Sequence, residues 1–166
     1  LELFVDSVSM STTMIIGRCV GIEDWEQVRY YSKKLMLMGI LSTIITLPIL
    51  LLLLPILHSL YGTSNEVWHL AMILTVISCI SIVTLYTTSF TLAHILRATG
   101  DVKFAMVIST LSMWIFRFGA SYIIAKYFGL GVIGIKIAMV LDWTFRSIMF
   151  LTRYKSGKWQ NTKSFL

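Results

Sequence analysis

Charge is scarce in this 166-residue chain: Asp, Glu, Lys and Arg make up 13% of it, against ~25% in an ordinary soluble domain. Proline occurs twice, cysteine twice, and acidic residues number eight. Set beside a 57% apolar content, this poverty of charge excludes a soluble enzyme domain, which needs a polar surface to face water. Cys19 and Cys79 show no metal-ligand spacing and no disulfide framework, and read as free thiols. Catalytic constellations are lacking too. No paired carboxylates, nucleophile elbow, phosphate-cradling Gly loop or His/Cys ligand set can be assembled, and His58, His69 and His94 are scattered. The sequence therefore points away from an enzyme, a metal site or an organic cofactor. Its net charge of +6 would suit nucleic acid in a soluble chain. With a mean hydropathy of +0.81, basic loops marking the cytoplasmic side of a membrane are the better account, and no nucleic-acid partner is expected.

What the chain has in quantity is long apolar runs. A bilayer span needs roughly 20 mostly apolar residues, and the runs predict an all-α polytopic membrane protein of about five spans. The first, residues 3–16, is short and rich in Ser and Thr, and residue 1 is Leu rather than Met. It reads as the tail of a span whose beginning is lost, or as a short interfacial helix. The polar segment 18–34, with Glu23, Asp24, Glu26, Arg29, Lys33 and Lys34, predicts an aqueous connection. Uncharged residues 35–57 follow, with Pro48 well inside and a kink expected there. After a short loop (58–65), span 67–96 is longer than a bilayer requires and should tilt or protrude. Spans 104–128 and 132–152 complete the set, before a basic polar tail, 153–166.

Alternate loops share a side. Segments 18–34 and 97–103 and the tail together hold Arg18, Arg29, Lys33, Lys34, Arg97, Lys103, Arg153, Lys155, Lys158 and Lys163, ten of the fourteen basic residues. That side is predicted to be cytoplasmic, with the C-terminus on it. Trp68 and Trp159 stand at span ends or just beyond, as interfacial aromatics do.

Charges within spans are expensive and face a bundle interior, a partner or water. Arg117 and Asp142 fall at nearly the same depth on spans that run in opposite directions, and Asp142 and Arg146 are one helical turn apart. If these two spans are neighbours, the three can form one buried cluster, either a structural clamp docking the last two helices or a substrate or ion site. Two arginines against one carboxylate suit a cation poorly. Lys136 lies a turn from the span end and can snorkel. In span 67–96, Ser78, Ser81, Thr84, Thr88, Thr91 and His94 follow three- and four-residue steps. Such a strip either packs closely against another helix or lines an aqueous cavity.

Several motifs in series carry a family resemblance: Gly17-Arg18-Cys19-Val20-Gly21 before the charged segment, Leu96-Arg97-Ala98-Thr99-Gly100-Asp101 closing a span, Met113-Trp114-Ile115-Phe116-Arg117-Phe118, and Ala138-Met139-Val140-Leu141-Asp142-Trp143 with Arg146, ending in Arg153-Tyr154-Lys155-Ser156-Gly157-Lys158-Trp159. In this order and spacing they resemble the C-terminal half of MATE (multidrug and toxic compound extrusion) transporters, over nearly the whole chain. The resemblance implies twelve helices in two six-helix bundles. This chain would run from the end of the eighth helix to the twelfth, with 1–152 a partial C-terminal transmembrane bundle and 153–166 a basic cytoplasmic tail. It further implies a multi-pass plasma-membrane antiporter exporting small organic, often cationic, compounds against Na+ or H+, with the N-terminal bundle and the lipid bilayer as partners. One departure stands out. Members resembling the NorM branch use a carboxylate in the tenth helix for coupling, and the matching span 67–96 has none. Coupling would then rest on the N-terminal bundle. Lys136 also stands where an aromatic is more familiar. The rival readings are a lipid-linked saccharide flippase of the same superfamily, which would line its cavity with more basic residues, and an inactive truncated fragment. A small dimeric four-helix exporter would want an acid deep in its first span, which Asp6 matches poorly.

Overall fold

The computed structural model describes residues 2–62 and 64–161; Lys163 and the end of the tail lie outside the described residues. Five antiparallel helices account for nearly all of it: α1 (Glu2–Gly21), α2 (Trp25–Tyr61), α3 (Asn65–Ala98), α4 (Val102–Tyr127) and α5 (Gly131–Lys155). The first four are long and apolar enough to cross a membrane. The 25 residues of α5 suffice in length, and its apolar character is diluted by Lys136, Asp142 and Arg146.

The polar segment 18–34 is mostly helix rather than an open connection. α1 continues to Gly21, the chain reverses over Ile22, Glu23 and Asp24, and α2 has begun by Trp25. Glu23 takes φ 56°, and the amides of Glu23 and Asp24 donate to the Val20 and Cys19 carbonyls at 3.0 and 3.1 Å, satisfying the end of α1. The Asp24 carboxylate then accepts from the Gln27 amide at 3.0 Å as the N-cap of α2. Polarity ends a membrane span without ending a helix. With 37 residues, α2 is about 55 Å long, well beyond a bilayer core of ~30 Å. It runs unbroken through Pro48 and Pro55. Just upstream of Pro48 the hydroxyls of Ser42, Thr43 and Thr46 donate to backbone carbonyls at 2.8–2.9 Å.

Two wide π turns interrupt the regular helices, at Ile82–Tyr86 in α3 and Met113–Ala120 in α4. Each shifts the helical register, so side chains beyond it face a different direction. In α3 the rearranged carbonyls find side-chain donors: Thr87 Oγ1 gives a hydrogen bond to the Ile82 carbonyl at 2.9 Å, and Ser147 Oγ of α5 gives one to Leu85 at 2.9 Å.

α3 lies at the centre, packed against α1, α2 and α5, while α4 packs chiefly along α5. The principal core gathers at one end, where Ile16 and Cys19 of α1, Val28 and Leu35 of α2, Leu92 and Leu96 of α3, Ala105 and Ile108 of α4, and Phe150 of α5 meet. The basic loops lie at this end. There Trp159, on a short 3-10 turn (Lys158–Asn161), is 1% exposed. It stacks on Tyr154 with ring centroids 5.5 Å apart, meets Trp25 edge-on at 5.8 Å, and donates its indole N–H to the Tyr154 carbonyl at 2.8 Å. Trp159 is therefore a core residue and not an interfacial one, and the boundary expected at residue 152 falls within α5. Asp101 and Arg153 tie α4 to α5 at the same end, at 2.6 Å. Toward the opposite end the packing thins, and the α4 segment 113–127 has no buried residue. The exception is Gly134, where a Cβ would sit 3.1 Å from the Ala125 backbone nitrogen. That glycine lets α4 and α5 approach.

Candidate functional site

The structure brings Arg117, Asp142 and Arg146 together between α4 and α5. Asp142 is fully buried, and its Oδ2 lies 3.2 Å from Arg117 Nε and 3.9 Å from Arg146 Nη1. Its other oxygen accepts a hydrogen bond from Ser112 Oγ of α4. Arg146 donates to Ser109 Oγ at 3.2 Å and lies over the Phe90 ring of α3, its guanidinium carbon 5.0 Å from the centroid. The carboxylate is thus enclosed by a hydroxyl and two guanidiniums, with no opening for a further cation. Lys136, unexplained by the sequence, sits with its ammonium 5.3 Å from the Trp143 ring centroid, an attraction that partly replaces water around the charge.

The six-residue strip of α3 does not stay on one face. Before the π turn, Ser78 lines a cavity of about 330 Å³ with Glu2, Thr75 and Ile82, while buried Ser81 donates to the Ile77 carbonyl at 2.7 Å. Thr84, inside the turn, is exposed, and Thr88 is half-buried; both hydroxyls bond to their own helix. Beyond it, Thr91 is buried with its hydroxyl 3.4 Å from that of Ser9 on α1, and His94 Nδ1 lies 2.9 Å from Thr13 Oγ1. Thr87, outside the expected strip, is buried 3.5 Å from Thr43 of α2. Small hydroxyls at these crossings let the backbones approach and give each polar group a partner.

Sequence reasoning missed Asp6. α3 has no carboxylate of its own in mid-span, yet α1 presents one to it: Tyr86, in the π turn, donates its hydroxyl to Asp6 Oδ1 at 3.0 Å. Tyr86 stacks on Phe90 at 4.1 Å and meets Trp143 edge-on at 5.1 Å. Asp6 is half-buried, and among the described residues no Lys or Arg lies within ion-pair distance of it. The two residues are 80 apart in sequence, and a tyrosine among apolar neighbours gives no local sign of the pairing. Among the described residues no three His, Cys, Asp or Glu side chains gather as metal ligands, and both cysteines are free and buried.

Antiparallel membrane-length helices, joined by tight turns and holding charged side chains between them, define a multi-pass α-helical membrane protein. The MatE family profile matches residues 3–123, and the chain belongs to that family. Two curated relatives agree. A probable multidrug resistance protein NorM of Thermotoga maritima is 40% identical over 65 residues, covering 39% of this chain and 14% of that protein. An uncharacterized transporter, YisQ, of Bacillus subtilis is 26% identical over 159 residues, covering 95% of this chain and 34% of that protein. The chain thus spans about a third or less of the length of these relatives. No solved structure matches it.

Proposed function

We propose that this chain supplies the later helices of a secondary antiporter that exports small organic compounds, many of them cationic, in exchange for inward Na+ or H+. The observation that carries the reading is Asp6. A half-buried carboxylate in a membrane bundle, held by one tyrosine hydroxyl and unmatched by a basic side chain among the described residues, is suited to gain and lose a small cation as water reaches it. Asp142, enclosed by two arginines, is not. Coupling in this half of the transporter then belongs to Asp6 on α1, with Tyr86 holding it in place, rather than to the N-terminal bundle alone.

Five helices do not enclose a cleft between two bundles, so transport is to be assayed with the chain joined to its preceding helices. In inverted vesicles, Asp6→Asn is expected to insert normally, because the amide oxygen still accepts from Tyr86, and to lose gradient-driven efflux of a fluorescent organic cation. Undiminished gradient-driven efflux by Asp6→Asn would remove Asp6 from the mechanism.

The basic end is the cytoplasmic one in this reading, within the plasma membrane. In a background with Cys19→Ser and Cys79→Ser, Ser64→Cys should react with an impermeant thiol reagent added to intact cells, and Ser156→Cys should not. Both positions are exposed. The opposite labelling pattern would invert the topology.

A further inference from the structure

A second polar feature lies apart from the Asp6–Tyr86 pair, on the thinly packed halves of α4 and α5. A cavity of about 490 Å³ opens there, lined by Arg117, Phe118, Ser121, Tyr122, Lys126 and Ile135. Its walls are largely apolar, and the two charged side chains among them are both basic. The Arg117 side chain is 35% exposed. Its Nε is committed to Asp142, while its terminal amino groups make no protein hydrogen bond among the described residues. Lys126 reaches the cavity rim nine residues on, roughly 13 Å along the helix. It donates to the Tyr122 hydroxyl at 2.7 Å and lies 5.1 Å from that ring's centroid. Tyr122 therefore accepts from the ammonium and keeps its own proton free to donate. Ser121 gives its proton to the Arg117 carbonyl. Among the described residues no carboxylate lines the cavity, and Asp142 lies fully buried behind Arg117.

The charge balance tells the same story. Two guanidiniums share one carboxylate, which leaves an excess positive charge within the bundle, where uncompensated charge is costly. A planar guanidinium with free amino groups is shaped to hold two oxygens of one acid group side by side. We propose that this cavity is a binding site for a single oxyanion (a carboxylate, sulfonate or phosphate ester) carried on an apolar body. Arg117 holds the oxyanion, Lys126 and Tyr122 close its rim, and Phe118 and Ile135 pack against the apolar part. The site takes charge of the opposite sign to that taken at Asp6, and it does not depend on the transport reading.

The test uses the full chain in neutral maltoside detergent. The probe is 11-(dansylamino)undecanoate, and its methyl ester is the uncharged comparator. The carboxylate is expected to bind about tenfold more tightly than the ester, the worth of one charge-assisted contact. Arg117→Gln should abolish that preference. Because Arg117 also touches Asp142, Lys126→Gln, on an exposed side chain outside the buried cluster, provides the independent variant. It should lower the preference for acid over ester about threefold, the share of one exposed charge. Dioctanoyl phosphatidylglycerol, with dioctanoyl phosphatidylcholine as control, separates the sources. Displacement by phosphatidylglycerol alone supports the site with an acidic lipid as occupant; retention of the probe supports it with a soluble organic anion. Equal affinity for acid and ester, or a preference untouched by Lys126→Gln in the folded protein, would overturn the proposal.

Discussion

Asp142→Ala is expected to reduce the yield of folded, membrane-inserted protein severely. The substitution leaves Arg117 and Arg146 facing each other without their anion and removes the acceptor of Ser112. Breaking a buried pair in this way costs ~3–5 kcal/mol, a large part of a total stability of about 5–15 kcal/mol. Asp142→Asn keeps the shape and an acceptor oxygen and should cost much less. If the cluster is a clamp between α4 and α5, Asn variants joined to the preceding helices transport at a near-normal rate per molecule. A well-expressed Asn variant with no gradient-driven efflux would instead place the coupled ion at Asp142. Monodispersity on gel filtration, measured beside efflux for both variants, separates the outcomes.

Trp159→Ala should be comparably damaging, although it lies near the end of the chain and outside any span. Removing a fully buried tryptophan costs about 3–5 kcal/mol, and here it also breaks the contacts with Trp25 and Tyr154 that join the α1–α2 turn to the end of α5. Trp159→Phe retains most of the apolar contact and loses one hydrogen bond, worth about 1 kcal/mol. A thermal midpoint in detergent lowered strongly by Ala and slightly by Phe is the expected result. An unshifted midpoint for Ala would mean that the turn holding Trp159 does not close the bundle.

Much of this architecture is legible in the sequence because lipid imposes simple rules. Uncharged runs of span length become helices, and the Arg117, Asp142 and Arg146 grouping follows from approximate depth and helical spacing once α4 and α5 are neighbours. What escapes is whatever depends on a break in that regularity. The α1–α2 turn is three residues long where charge alone suggests seventeen, because Glu26, Arg29, Lys33 and Lys34 are as content on a helix beyond the bilayer as in a loop. The strip from Ser78 to His94 is projected at constant pitch, and the π turn at Ile82–Tyr86 carries no composition that announces it. Its effect is to expose Thr84 while burying Thr87. Asp6 reads as a stray acid near the chain start until α1 and α3 are placed side by side. Trp159 looks interfacial because a tryptophan beyond a span usually is; only the fold shows Trp25 waiting opposite it.

Rods knotted at one end behave as levers. From Thr43, the last buried residue described in α2, to its end at Tyr61 is about 27 Å of helix. A change of about 6° in its tilt, small enough for side chains at the knot to absorb by shifting tenths of an ångström, moves the far tip by about 3 Å. That is close to the diameter of a water molecule, twice the ~1.4 Å probe radius. The thinly packed end of the bundle is therefore the end at which slight repacking where Thr43 of α2 meets Thr87 of α3 is converted into the admission or exclusion of solvent.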